Sequence, residues 1–120
     1  MNQSGLLYIA APMWLYGSRD YRLAMGMASA AGWRVFDVRS TYHGNQDWLA
    51  RWPVEREQFD GLWLVAGPDG WIGRGTRIEH DDLVELGRPC WWWRPSGVIQ
   101  TYRFGPTARS WRRWCQVLET

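Results

Sequence analysis

Gly61-Leu62-Trp63-Leu64-Val65-Ala66 is an unbroken apolar run. It is followed by Gly67-Pro68-Asp69-Gly70-Trp71-Ile72-Gly73-Arg74-Gly75 and then by Thr76-Arg77-Ile78-Glu79. An apolar run of that length, bounded by glycine and proline, reads as a strand covered on both faces, because a half-exposed strand would alternate with polar residues. The glycine-rich stretch reads as a loop. The segment from Thr76 to Gly87 reads as a helix that stops at its glycine. This strand, loop and helix unit decides the fold, and its neighbours repeat it.

Toward the N-terminus, Leu6-Leu7-Tyr8-Ile9-Ala10-Ala11, backed by Pro12, predicts a buried first strand. Leu23, Met27 and Ala30 recur near the helical period between Ser18 or Arg19 and Ala31, and Gly32 follows as a stop. Trp33–Val38 predicts a second strand and the polar Arg39–Asp47 a loop. Two short helical pieces should follow, Asp47–Arg51 and Val54–Gln58, with Pro53 at a first-turn position. Toward the C-terminus, Pro89–Trp93 predicts a fourth strand and Ile99–Phe104 a fifth. A last helix over Thr107–Leu118 would place Trp111, Trp114, Cys115 and Leu118 on one face. Strands alternating with helices imply an α/β fold. The expectation is three layers, a five-stranded parallel sheet in flavodoxin-like order, and residues 1–120 as one domain. No Gly-x-Gly-x-x-Gly follows the first strand, which argues against a dinucleotide-binding fold. In open parallel sheets, ligands bind beyond the carboxyl ends of the strands. That rule selects Pro12–Tyr16, Arg39–Asn45, Gly67–Glu79 and Arg94–Gly97.

The composition narrows the chemistry. The 14 basic residues are all Arg, so neither a Schiff-base lysine nor a P-loop lysine exists here. A net charge of +2 is too small to argue for a nucleic-acid polymer as partner. Cys90 and Cys115 are too few for a disulfide framework and lack further ligands at metal spacing, so neither a metal nor another cofactor is expected. No run approaches the roughly 18 apolar residues of a membrane span, and the N-terminus lacks the basic flank of a signal peptide. The expectation is a cytoplasmic protein with no membrane partner. Among the 11 Trp, Trp14 and Trp71 fall in loops where an indole could stack on a planar ligand.

Thr76-Arg77-Ile78-Glu79 admits two readings. It fits a capping box, in which Glu79 only reaches back to the Thr76 amide. It also stands at the end of a glycine-rich loop, where the Gly75 and Thr76 amides at a helix start could receive an anion such as a 5′-phosphate, with Arg19, Arg39 or Arg74 as charge partner.

Taken together, Phe59-Asp60 at the head of the third strand, Gly75-Thr76-x-x-Glu79 and the later Gly87-Arg88-Pro89 resemble the nucleoside 2-deoxyribosyltransferase family and the related nucleotide N-glycosidases. Leu7-Tyr8-Ile9-Ala10-Ala11-Pro12 is similar to the opening strand of that family. The resemblance implies cleavage of the N-glycosidic bond of a nucleoside or nucleoside 5′-monophosphate, by hydrolysis or by base exchange. It implies Glu79 as nucleophile, Tyr8 as the aromatic that orients it, and Asp60 as a carboxylate handling base or sugar. Pro12, Trp14, Arg39, Asp69, Trp71, Gly75 and Thr76 would then bind substrate. A homo-oligomer, at least a dimer, is implied too. The chain departs from the family where Glu79-His80-Asp81 replaces a Glu-x-Gly step. Gly73 stands where several transferases carry an Asp, a part for which Asp69 is the substitute at hand. The alternative is a non-catalytic nucleotide-binding or sensor module of the same fold. A flavin-binding electron carrier is disfavoured because Pro12–Ser18 is poor in the hydroxyls that cradle its phosphate.

Overall fold

Leu7, Tyr8, Ile9 and Ala10 alternate between two separate apolar clusters, so one strand supplies the core on both of its faces. The computed structural model describes residues 5–67, 71–101 and 116–118. In chain order the strands are β1 (Leu6–Ala10), β2 (Arg34–Phe36), β3 (Gly61–Leu64), β4 (Trp71–Gly73), β5 (Cys90–Arg94), β6 (Gly97–Gln100) and β7 (Gln116–Leu118). The helices are α1 (Arg19–Ala30), α2 (Val38–Thr41), α3 (Asn45–Glu55) and α4 (Arg74–Glu85), with single 3-10 turns at Met13–Leu15 and Arg56–Gln58.

Five strands form one sheet in the order β2-β1-β3-β5-β6. β1, β2, β3 and β5 are mutually parallel, whereas β6 runs antiparallel to β5. Beneath one face, Leu7, Ile9, Trp63, Val65 and Trp93 pack on Tyr21, Ala24 and Ala28 of α1. Beneath the other, Tyr8, Ala10, Leu62, Leu64 and Cys90 pack on Trp52 of α3 and Leu83 of α4. The fold is α/β with a mostly parallel mixed sheet.

Local chemistry sets the helix ends. The Ser18 hydroxyl accepts the Tyr21 N–H at 3.2 Å and caps α1. α1 and α4 finish alike. Gly32 and Gly87 adopt φ of 99° and 79°. Their N–H groups donate to Ser29 and Val84, and the next residues, Trp33 and Arg88, donate back to Ala28 and Leu83. That is the two-bond Schellman closure, which favours glycine at the left-handed position.

The structure corrects five expectations. The sheet is neither all-parallel nor strictly of flavodoxin-like order, its last strand being antiparallel: only Pro95 and Ser96 separate β5 from β6, and so short a link makes a hairpin, never the crossover a parallel neighbour needs. The last helix is corrected at Gln116–Leu118, which is strand β7, parallel to β4 in a separate two-stranded sheet. Thr107–Cys115 of that expected helix lie outside the described residues. Part of the expected Arg39–Asp47 loop is the single turn α2. The two helical pieces near Pro53 are one helix that runs through the proline. Trp52 is the reason: it is 2% exposed, packs on Tyr8, Trp48 and Phe59, and donates its indole N–H to Asp82 at 2.8 Å. This anchoring offsets the bond Pro53 cannot make and the strain proline puts on the residue before it. Finally, α4 begins at Arg74 with Gly73 as its N-cap, earlier than the Thr76 expected, because Trp71–Gly73 is held straight by β7.

Candidate active site

Beyond the carboxyl ends of β1 and β2 lies a cavity of about 600 Å³. Ala11–Trp14 and Tyr16, just past β1, form one wall, and Val38, Tyr42 and Gly44, past β2, form another. Trp48 of α3 and the first turns of α4, from Gly73 to Thr76 and on to Glu79, complete it. The location follows the rule for open parallel sheets. Trp14, Tyr16, Tyr42 and Trp48 give the walls aromatic surface, and Glu79 is the one acidic side chain among the described residues that line it.

Glu79 sits in the second turn of α4 and is 4% exposed. Its Oε2 accepts a hydrogen bond from the Tyr8 hydroxyl. Tyr8 is fully buried and does not reach the cavity; its ring is clamped by Trp52, Phe59 and Phe36 at centroid distances of 5.0, 4.8 and 5.8 Å. The clamp fixes where the hydroxyl points. Burial pushes the Glu79 carboxyl up to about 8; the bond from Tyr8 and the nearby Trp48 indole oppose the rise, and the Asp82 charge adds to it. The Tyr8 phenol is driven well above its ordinary value by burial and by Glu79, so it remains a neutral donor. Burial therefore favours the neutral form of the Glu79 carboxyl.

The capping-box geometry is not formed. Gly73 is the N-cap of α4, so Thr76 lies at the third helical position and Glu79 is bonded to Tyr8 instead. Pro12, Trp14, Gly75 and Thr76 line the cavity as expected from the sequence. Arg39 lies on α2 and Trp71 on β4, while Asp69 is outside the described residues. Asp60 is not brought to the site. It precedes β3 at the amino end of the sheet, where its Oδ2 accepts the Leu6 N–H at 2.8 Å and its own N–H donates to the Leu6 carbonyl. That pair fastens β3 to β1 at the end remote from the cavity. Arg94–Gly97, also selected from the sequence, forms the hairpin turn and stays clear of the cavity lining.

Sequence reasoning missed Trp48 as a cavity wall, and it selected the stretches holding Tyr16 and Tyr42 without singling out either residue. Tyr42 stood inside a stretch already flagged, beside Gly44. Trp48 carried no signal, because tryptophan is frequent throughout the chain.

A second polar cluster lies next to the site in sequence and away from it in space. His80 Nδ1 is 3.0 Å from Asp81 Oδ1, and His80 Nε2 is 2.5 Å from Thr101 Oγ1. An acid, imidazole and hydroxyl in a row serve nucleophilic catalysis where the hydroxyl meets a substrate. Here His80 and Thr101 are both fully buried, and the row ties α4 to the β5–β6 hairpin. Cys90 is buried as well, its thiol pushed up to about 12 by burial, which leaves it unreactive. Among the described residues, no three His, Cys, Asp or Glu side chains gather to hold a metal ion. No helix among them is long and apolar enough to cross a membrane. Compared with known proteins, the chain matches no family model, no curated protein and no solved structure.

Proposed function

We propose that this chain cleaves the N-glycosidic bond of a nucleoside or nucleoside 5′-monophosphate, with Glu79 as nucleophile, in the manner of the nucleoside 2-deoxyribosyltransferases and nucleotide N-glycosidases. The observation that carries the reading is a lone buried carboxyl, oriented by Tyr8, at the wall of an aromatic-lined cavity. Its volume of about 600 Å³ suits a ligand of nucleoside size. Trp14, Tyr16, Tyr42 and Trp48 offer flat faces to a base. A phosphate would find Arg74 and the free amides at the start of α4, whose N-cap, Gly73, supplies no side-chain bond.

In the reaction, a Glu79 oxygen attacks C1′ as the C1′–N bond breaks. The bonding pair leaves with the base, which takes up a proton. The glycosyl ester on Glu79 is then resolved by water, releasing sugar, or by a second base, releasing a new nucleoside. Glu79 must lose its own proton before it attacks. Asp60 has no part in this scheme, because it lies at the other end of the sheet. A homo-oligomer is part of the proposal; exposed Leu49 and Val54 on α3 and Met13 beside the cavity supply apolar surface for it.

A non-catalytic nucleotide-binding module is the second reading. The burial that favours the neutral form of Glu79 supports it, since a neutral carboxyl binds without attacking. Incubation with a panel of nucleosides and monophosphates separates the two readings, with chromatography for free base and intact-mass analysis after a 2-fluoro-2-deoxy nucleoside. Free base, together with a sugar adduct mapped to the Thr76–Arg88 segment, is the expected result. An adduct on another carboxylate overturns the role of Glu79. Binding without base release, across the panel and up to alkaline pH, establishes the module.

A further inference from the structure

Trp48 bridges two helices at the cavity wall. Its ring stacks on Trp52, with centroids 6.2 Å apart and planes 25° from parallel. Its Cη2 would lie 3.8 Å from a methyl placed on Gly75, so the indole reaches from α3 to the first turn of α4. The ring lines the same cavity as Glu79. Its Nε1 is sealed from solvent and has no acceptor at hydrogen-bonding geometry. An indole N–H can only donate, and burying it unpaired is unfavourable, so a position like this one calls for an acceptor.

We propose that Trp48 is a positioning residue for Glu79: its Nε1–H and the Tyr8 hydroxyl together hold the carboxylate. This deepens the reading of Glu79 as nucleophile and rests on it. The neighbours of the carboxyl leave Trp48 and Tyr8 as its donors. Tyr16 and Tyr42 are pushed up by burial and stay neutral. Asp82, on α4 itself, disfavours a second negative charge and is tied to Arg56 at 2.9 Å. Arg74 stands at the start of α4, more than one turn before Glu79. His80 turns to Asp81 and Thr101. The indole already opposes the rise that burial imposes on Glu79, which accords with a donor held close but short of bonding geometry.

Trp48→Phe keeps an aromatic ring and removes the N–H. Glu79 should be titrated directly, by carboxyl-carbon NMR on glutamate-labelled protein, with Glu79→Gln assigning the signal. The variant should titrate about one unit higher than the parent, a tenfold change in proton affinity. Base release at neutral pH should fall about tenfold and return to the parent value on the alkaline plateau. In the unaltered protein, the Trp48 Nε1–H proton should move downfield along the same curve as Glu79. That measurement stands even if the variant fails to fold. Loss of activity at every pH with an unchanged titration would make Trp48 a packing residue and overturn the inference. A raised KM with an unchanged titration overturns it too, because the N–H would then belong to the substrate. If the parent cleaves nothing, the enzymatic reading fails, while the two titrations still decide whether Trp48 serves the carboxylate.

Discussion

Glu79 and Asp60 are carboxylates at opposite ends of the same sheet, and their surroundings differ in kind. Asp60 is exposed, accepts a backbone N–H from Leu6, and stands where β3 begins. On the chain just before Asp60, the carbonyls of Phe59 and Glu57 accept from the Arg88 guanidinium at 2.8 and 3.1 Å, and the Leu86 carbonyl accepts from it at 3.1 Å. There, polar groups meet partners that satisfy them, and the effect is to fasten chain to chain. At the carboxyl end, Glu79 is buried among aromatic rings beside an open cavity, with a donor from β1 and no cation bonded to it among the described residues. One carboxylate is stabilised as it stands. The other is held where burial disfavours its charge. Marginal local stability of this sort is common where chemistry occurs, since a group already satisfied has little reason to react.

The sharpest way to break the contrast is to neutralise each carboxylate. Glu79→Gln keeps the shape and an acceptor for Tyr8, and base release should fall roughly a thousandfold or more. Retention of the parent rate in a mass-verified sample would remove Glu79 from the mechanism.

The same variant should gain stability where the parent loses it. The carboxyl titrates at about 8 in the folded chain, against an ordinary value of 4.5. The folded state therefore holds the proton more tightly than the unfolded one. This group's contribution is complete below about pH 4.5, declines as pH rises toward 8, and is then lost. Glu79→Gln has no such decline. It should match the parent near pH 4.5 and exceed it above pH 8 by on the order of 4 kcal/mol. Urea unfolding at both pH values reads the difference, and parallel curves would place Glu79 in a more solvated setting than its burial implies.

Tyr8→Phe tests the orienting bond. Loss of a hydrogen bond to a charged group should lower turnover about tenfold to a hundredfold with KM little changed. Since Tyr8 also holds the Glu79 carboxyl down, the rising limb of the pH–rate profile should move to higher pH in the variant. A rate that falls as pH rises through 8 in the parent would show Glu79 working as an acid and not as a nucleophile.

Asp60→Asn should do least. One backbone bond at an exposed strand start is weakened, so Tm should drop by a few degrees at most and turnover should hold. A collapse in turnover with an unchanged Tm would bring Asp60 back into the chemistry by a route the sheet geometry does not offer.

What the sequence determined by itself is local or short in reach. Apolar runs marked β1, β3 and β5, since a strand covered on both faces has nowhere to place polar side chains. Gly32 and Gly87 marked the ends of α1 and α4, because the left-handed closing residue is costly for anything with a Cβ. The α/β order then indicated which strand ends border a cavity, and Glu79 stood at the end of one selected stretch, Gly67–Glu79. The direction of β6 was not read from the sequence, where a parallel fifth strand was expected at Ile99–Phe104.

Only the tertiary structure decided the rest. α3 continues through Pro53 because Trp52 is anchored by residues from β1, α4 and the approach to β3. α4 starts at Arg74 because β7, far along the chain, straightens Trp71–Gly73. A carboxylate's identity does not reveal which end of a sheet it occupies, and Asp60 lies at the amino end. Nor does it reveal how deeply it is buried. The raised proton affinity of Glu79 and the unpaired N–H of Trp48 arise from groups brought together across the fold, and burial and charge act through space with no regard to sequence distance.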